Sequence, residues 1–178
     1  MLLIPCFYRV IMSLSLSQGT VLVKLARNTV KHFFKEGELL AEQANCKALL
    51  EKRGVFVTLR AWPEKELRGC IGYPFPIEPL WDAVKLACLS AAFEDSRFLP
   101  LAEEELSKII FEVSVLSLPE EIKGSKEELP EKIIAGKDGL IIRKGYSSGL
   151  LLPSVAAEFR LDARQFLEAC CEKAFLEK

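Results

Sequence analysis

The sequence predicts an α+β protein whose sheet is mainly antiparallel and packed by helices. Segments with helical apolar spacing mix with alternating, strand-like segments, and they do so without a regular strand–helix–strand rhythm. Two pairs of alternating segments are joined by short turns, which is typical of antiparallel hairpins. Of the 178 residues, 50% are apolar and 28% are charged, as in an ordinary globular protein.

The length favours one domain, with two lobes as an alternative. Residues 1–16 are predicted to form an N-terminal tail, and residues 17–178 to form the domain. The first twelve residues are apolar, but Pro5 and Arg9 interrupt them, and the features of a signal peptide are missing. No apolar run reaches the roughly 20 residues of a membrane span, so we predict no membrane association.

The six cysteines predict a cytoplasmic protein with reduced thiols. None forms a C-x-x-C pair, and the single His32 cannot complete a Cys/His zinc set, so no metal site is predicted. Cys46 and Cys88 lie in apolar helical patterns, where a thiol behaves as a small hydrophobe. Nucleotide-binding glycine motifs are absent, so no cofactor is predicted. The net charge of −1 argues against general electrostatic binding of nucleic acid.

The first half of the chain predicts two helices, a hairpin and a third helix. An apolar stripe follows Ser17 and stops at Gly37, and a second helical stretch covers Leu39 to Lys52. Val55 to Ala61 and Glu66 to Ile71 alternate around a turn, which predicts a β-hairpin. A long apolar helix begins at Leu80, with Pro79 suited to its first turn.

The second half predicts a strand, a hairpin and two helices. The strand covers Ile109 to Leu118, after a loop and a short acidic helix, and the charged residues from Glu120 to Gly136 are predicted to form turns. Leu140 to Arg143 and Leu150 to Leu152 flank the turn KGYSSG. A short helix follows over Val155 to Phe159, and Asp162 caps the last helix, with Gln165 in the capping-box position.

Six sequence blocks carry a resemblance to a known family. LRGCIG (Leu67 to Gly72) is preceded by RGVFVTL and followed, in order, by SAAFEDSRFLPL, EVSVL, KDGLIIRKG and SGLLLPSVAAE. These blocks resemble the AMMECR-type domain family over nearly the whole chain. The resemblance implies a compact α+β body with a smaller β-rich lobe. It also implies an association with a Memo-like protein and a radical SAM enzyme, in a modification pathway whose reaction is not established.

The chain departs from the family pattern at several places. Leu161 and Ser154 stand where family members tend to have Trp and Gln, and Phe175 stands where Gly is usual. The chain stops at Lys178, whereas the family continues by some tens of residues, so the domain is short at its C-terminus relative to the family.

Strand alternation within LRGCIG predicts a candidate site. It places Arg68 and Cys70 on one face and Leu67 and Ile71 on the core face. The neighbouring glycines, Gly69 and Gly72, are ligand-binding candidates as well, because they leave the backbone open to the close approach of a ligand or of another chain segment. An arginine beside a thiol favours the thiolate and can bind an anion. We therefore predict an anion-binding Arg68 beside a nucleophilic or redox-active Cys70.

Three further residues are candidates for the same site. Asp95 and Arg97 follow the long helix and are predicted to converge with Arg68 and Cys70 on one cleft, and Glu158 is a third ligand-binding candidate. Arg68 and each of these three residues also have a purely structural explanation. Arg68 could be bound to an acid such as Asp95, Asp95 and Arg97 could only fix their loop, and Glu158 could lie on a solvated helix surface.

Three classes of function follow from these residues and the resemblance. The first is an enzyme that acts on a small anionic or nucleotide-like substrate through the Arg68/Cys70 face. In the second class, the protein binds such a ligand for the Memo-like or radical SAM partner. The third is an interaction scaffold in which LRGCIG is a structural packing motif.

Overall fold

The structure is a computed structural model that describes residues 6–11, 14–44, 46–125 and 127–176, with side chains described from residue 14 onward. The chain is α+β with antiparallel sheets, as predicted. It divides into two compact units, one comprising the described residues of 13–116 and the other those of 1–12 and 117–178. The strands are β1 (Cys6–Ile11), β2 (Val55–Ala61), β3 (Glu66–Tyr73), β4 (Ile109–Val115), β5 (Glu120–Ile122), β6 (Asp138–Lys144) and β7 (Ser147–Leu151). The helices are α1 (Leu16–Glu36), α2 (Leu80–Phe93), α3 (Pro153–Glu158) and α4 (Ala163–Lys173), with 3₁₀ turns at Lys47–Leu49, Glu103–Lys108 and Pro130–Lys132.

The unit of residues 13–116 packs α1 and α2 on a three-stranded antiparallel sheet of order β3-β2-β4. Val55, Val57 and Leu59 of β2 are fully buried and face the helices. The intervening residues, Phe56, Thr58 and Arg60, lie on the opposite face of the sheet, because side chains alternate along a strand. This second face carries the Cys70 side chain.

Helix α1 confirms the first predicted helix. Ser15 caps it, with reciprocal bonds between Ser15 and Gln18, and Gly37 ends it at φ 73°. A left-handed residue at this position suits glycine, since it has no Cβ to clash. The buried stripe contains Leu22, Leu25, Ala26, Thr29 and Val30.

The second predicted helix, Leu39 to Lys52, is wrong except for the 3₁₀ turn at Lys47–Leu49. Contacts from α2 hold the preceding segment in a non-helical path. The Trp81 indole N–H donates to the Glu42 carbonyl at 2.7 Å, and the Lys85 ammonium donates to the Leu40 carbonyl at 3.3 Å. These carbonyls would otherwise be available for helix bonds. Cys46, predicted to behave as a small hydrophobe in a helical pattern, is exposed.

The second unit is a four-stranded antiparallel sheet of order β5-β1-β6-β7 with α3 and α4. Strand β1 lies inside the predicted tail, so residues 6–11 correct that prediction. Strand β5 was predicted as turns, and it pairs with β1 over three residues, Phe7 with Ile122 through Arg9 with Glu120. The β6–β7 hairpin is confirmed, as is the capping box of Asp162 and Gln165 on α4. In the described part of the chain, no helix is long and apolar enough to cross a bilayer.

Candidate functional site

A β-bulge in LRGCIG changes which residues share a face. Leu59 of β2 pairs with Gly69, but its neighbour Arg60 pairs with Leu67, so Arg68 is the extra residue and has no partner on β2. The alternation that predicted a core position for Leu67 therefore fails on that side of the bulge. Leu67 lies across from Arg60 and is 37% exposed. Ile71, beyond the bulge, packs against the core as predicted.

The Arg68 guanidinium is held by an acid and two carbonyl groups. Its Nε and Nη2 donate to the two carboxylate oxygens of Glu105 at 2.8 and 2.9 Å. Its Nη1 donates to the Leu99 carbonyl at 2.9 Å, and Nη2 also reaches the Pro100 carbonyl at 3.4 Å. The bound arginine lowers the pKa of the Glu105 carboxyl. Arg68 is therefore bound to an acid, as in the structural alternative given above, but the acid is Glu105 and not Asp95.

Asp95 and Arg97 bind the exposed edge of β3 at Cys70. Strand β3 is an edge strand, and both the N–H and the carbonyl of Cys70 are bonded on its open side, away from β2. The Cys70 N–H donates to Asp95 Oδ2 at 2.8 Å, and the Cys70 carbonyl accepts from Arg97 Nη2 at 3.2 Å. Two side chains thus occupy the place of a neighbouring strand. They satisfy backbone groups that could otherwise pair with another chain.

The Asp95–Arg97 pair is itself tightly bonded. Asp95 Oδ1 accepts from Arg97 Nε at 2.9 Å and Oδ2 accepts from Arg97 Nη2 at 2.7 Å. Asp95 is 5% exposed, whereas the Arg97 side chain is 54% exposed. The Arg97 hydrogen bonds, chiefly, hold the pKa of the Asp95 carboxyl well below its usual range, with the Cys70 N–H adding to the effect. Asp95 is therefore ionised at neutral pH.

The Cys70 thiol accepts a hydrogen bond from the Thr58 hydroxyl at 3.2 Å. Thr58 is paired on its other side with Glu112 of β4, so a thiol, a hydroxyl and a carboxylate form one row across the three strands. Glu112 is bound to Arg60 at 3.1 Å. The Thr58 hydroxyl thus orients the Cys70 sulfur on the face of the sheet that points away from the helices.

Packing explains the two glycines of the motif. A Cβ at Gly69 would lie 2.1 Å from the Ala91 carbonyl oxygen of α2, and one at Gly72 would lie 2.2 Å from the Val55 carbonyl oxygen. Real Cβ atoms do not approach oxygen so closely. Both glycines therefore permit backbone contacts inside the unit.

Comparison with known proteins gives the family. The sequence model of the AMMECR1 family matches residues 23–178. The chain belongs to the AMMECR1 family. A protein of Aquifex aeolicus is 48% identical over 157 residues, which cover 88% of this chain and 80% of the relative. The crystal structure of the uncharacterized protein PH0010 from Pyrococcus horikoshii is similar, with a TM-score of 0.84 and 45% identity, covering 90% of this chain and 81% of that one.

In this AMMECR1-family chain, Cys70, Asp95 and Arg97 come together. Arg68 is adjacent in sequence, but its guanidinium binds Glu105. Glu158 lies exposed in α3 of the other compact unit. No three His, Cys, Asp or Glu side chains in the described ranges are grouped to hold a metal ion.

Three residues near the site were missed from the sequence. Glu105 follows two other glutamates, so its pairing with Arg68 had no distinct signal. Thr58 and Glu112 did have a signal, because each is a polar residue that alternates with apolar core positions in a correctly predicted strand.

Proposed function

We propose that this protein binds a small anionic or nucleotide-like ligand at the Cys70 face. It would serve as the binding or catalytic component of a modification pathway, with Memo-like and radical SAM proteins as partners. The observation that carries the ligand proposal is the junction of Cys70, Asp95 and Arg97. It holds a thiol, with a hydroxyl donor bonded to its sulfur, beside a half-exposed guanidinium. The proposed partners rest on the family resemblance alone.

Mass spectrometry of the purified protein tests the ligand. Protein is washed, unfolded in organic solvent, and the extract is searched for anionic small molecules. We expect a compound that is recovered in near-stoichiometric amount from wild type and is reduced in Cys70→Ser. Cys46→Ser is the matched control, because Cys46 is exposed and lies outside the site. Equal extracts from wild type and both variants would contradict ligand binding at Cys70.

Co-elution tests the partners. The chain is mixed with a purified Memo-like protein or radical SAM protein and passed through a sizing column, with and without the extract. We expect a shift of the AMMECR1-family chain into the partner's fraction. Independent elution of both proteins under all conditions would remove the partner part of the proposal.

A scaffold function is the second candidate, and one observation favours it. Arg68 is bonded through Nε, Nη1 and Nη2, and Gly69 is required by the close approach of α2, so two residues of LRGCIG have a full explanation in packing. For a scaffold, Cys70→Ser should leave every partner interaction unchanged.

A further inference from the structure

Arg97 is bound on one side and open on the other. Its Nε and Nη2 are used by Asp95, and Nη2 also binds the Cys70 carbonyl. Its Nη1 has no hydrogen-bond partner within the described part of the chain. The ring of Phe98 lies 5.5 Å from the guanidinium carbon, which further restricts the group. Asp95 therefore orients Arg97 so that the Nη1 group of Arg97 presents its N–H donors to solvent.

Arg68 is the contrasting case. Each of its guanidinium nitrogens donates a hydrogen bond, and its side chain is 17% exposed. An anion arriving at Arg68 would have to displace Glu105 or the Leu99 carbonyl. An anion arriving at Arg97 Nη1 displaces only water, so the two arginines of the site differ in what they can still bind.

The open guanidinium lies at Cys70, because Arg97 Nη2 donates to the Cys70 carbonyl at 3.2 Å. The hydrogen bond to Asp95 raises the pKa of Arg97, so the guanidinium keeps its charge. Because the Asp95 carboxylate offsets the charge of Arg97, attraction of anions depends on the directed N–H group more than on net charge. The effect on a small anion should therefore be moderate and short-ranged.

We propose that Arg97 Nη1, positioned by Asp95, is an oxyanion subsite that makes the Cys70 thiol selective for small ligands carrying a carboxylate or a phosphate. This inference rests on the proposed function and names the part of the ligand that the site recognises. Arg97 replaces Arg68 as the anion-binding group. Thr58 contacts the sulfur atom, and Asp95 acts as a positioning residue.

Two alkylating reagents that differ in charge test the subsite. Iodoacetate and iodoacetamide react alike: the sulfur–carbon bond forms, iodide leaves, and the thiol proton passes to the buffer. Peptide mass mapping gives both rate constants at Cys70 in the folded protein and in the same chain unfolded in urea. We expect folding to raise the iodoacetate/iodoacetamide ratio about fivefold, the size of one net hydrogen bond to the anion.

Variants separate the two arginines. In Arg97→Gln the ratio at Cys70 should fall to its value in the unfolded chain, and in Arg97→Lys it should be partly restored. In Arg68→Gln the ratio should stay at the wild-type value. A wild-type ratio unaffected by folding, or a ratio lost in Arg68→Gln and kept in Arg97→Gln, would overturn the inference.

A competition experiment uses the wild-type protein alone, so its result does not depend on whether a variant folds. Acetate or inorganic phosphate at a fixed ionic strength should slow the reaction of iodoacetate at Cys70 and leave that of iodoacetamide unchanged. The more effective competitor identifies the preferred oxyanion. If neither anion competes, the subsite is absent. Mass spectrometry could recover a ligand from the purified protein while Cys70 shows no preference between the charged and the neutral reagent. That pair of results would support the proposed function and contradict this inference alone.

Discussion

Replacing Arg68 by alanine should destabilise the protein by about 2 kcal/mol. The change removes two hydrogen bonds to Glu105 and those to the Leu99 and Pro100 carbonyls. An exposed ion pair contributes about 0–1 kcal/mol, whereas breaking a buried pair costs about 3–5 kcal/mol. This pair lies between the two, since the Arg68 and Glu105 side chains are 17% and 39% exposed.

Thermal melting followed by circular dichroism measures the loss. For a chain of this size each kcal/mol shifts Tm by about 2–4 °C, so we expect Arg68→Ala to melt about 4–8 °C lower. Arg60→Ala is the matched control. Arg60 sits on the adjacent strand, contacts Glu112 through a 3.1 Å ion pair and the Lys65 carbonyl at 3.2 Å, and is 33% exposed. Because both contacts are exposed, its loss should shift Tm by about 2 °C or less.

An Arg68→Ala variant that melts within 1 °C of wild type would contradict this prediction. That result would mean that the guanidinium is free in solution and available to a ligand, as the sequence prediction assumed. A double-mutant cycle with Glu105→Ala adds a second check, because most of the loss should be shared by the two residues. Additive effects would show that Arg68 stabilises the protein through contacts other than Glu105.

Three further predictions concern the glycines, the carboxylate and the thiols. Gly69→Ala should cost about 1–3 kcal/mol because its Cβ meets a carbonyl oxygen, whereas Gly19→Ala, in an open helix position, should gain about 0.5–1 kcal/mol, both measured by urea unfolding. Asp95→Asn should reduce the free energy of unfolding by a constant amount above about pH 5. The difference from wild type should shrink as urea midpoints are taken from about pH 4 towards pH 2, since a carboxyl with a depressed folded pKa loses its stabilisation as it protonates. Native iodoacetamide labelling at pH 8 should modify Cys46 and spare Cys88, whose pKa burial raises to about 12.

Each of these has a contradicting result. Gly69→Ala with wild-type stability would mean that α2 can move away from β3 without loss. A difference between wild type and Asp95→Asn that is the same at every pH would show that the carboxyl is not stabilised as an anion. Labelling of Cys88 as fast as Cys46 in the native protein would show that the α2 core opens readily.

The elements with a local signal were predicted from the sequence, and those that depend on distant contacts were not. Helix α1 has a cap, an apolar stripe and a glycine stop within its own residues. The segment after it has helical spacing too, but Trp81 and Lys85 bind its carbonyls from another helix. Strand β5 is three residues long and carries two glutamates, so its pairing with β1 leaves no periodic pattern to detect.

The candidate site also contains one feature that could be predicted from the sequence and one that could not. The meeting of Cys70 with Asp95 and Arg97 could be predicted, because an edge strand and the loop after a helix packed on it lie close together. The partner of Arg68 could not, because the bulge is invisible to an alternation rule and three successive glutamates offered equal partners. The family resemblance located the motif, but it did not distinguish packing residues from binding residues.

Packing accounts unequally for the residues of LRGCIG. Arg68 stabilises the loop before β4 through Glu105, Gly69 and Gly72 allow close backbone contacts, and Ile71 fills the core. At Cys70, the clamp from Asp95 and Arg97 acts on the peptide group, which any residue but proline would supply with its N–H. The sulfur atom faces away from the core and bonds to a hydroxyl. Its chemistry is thus the part of the motif that the fold does not require, and for that reason the proposed function is placed on it.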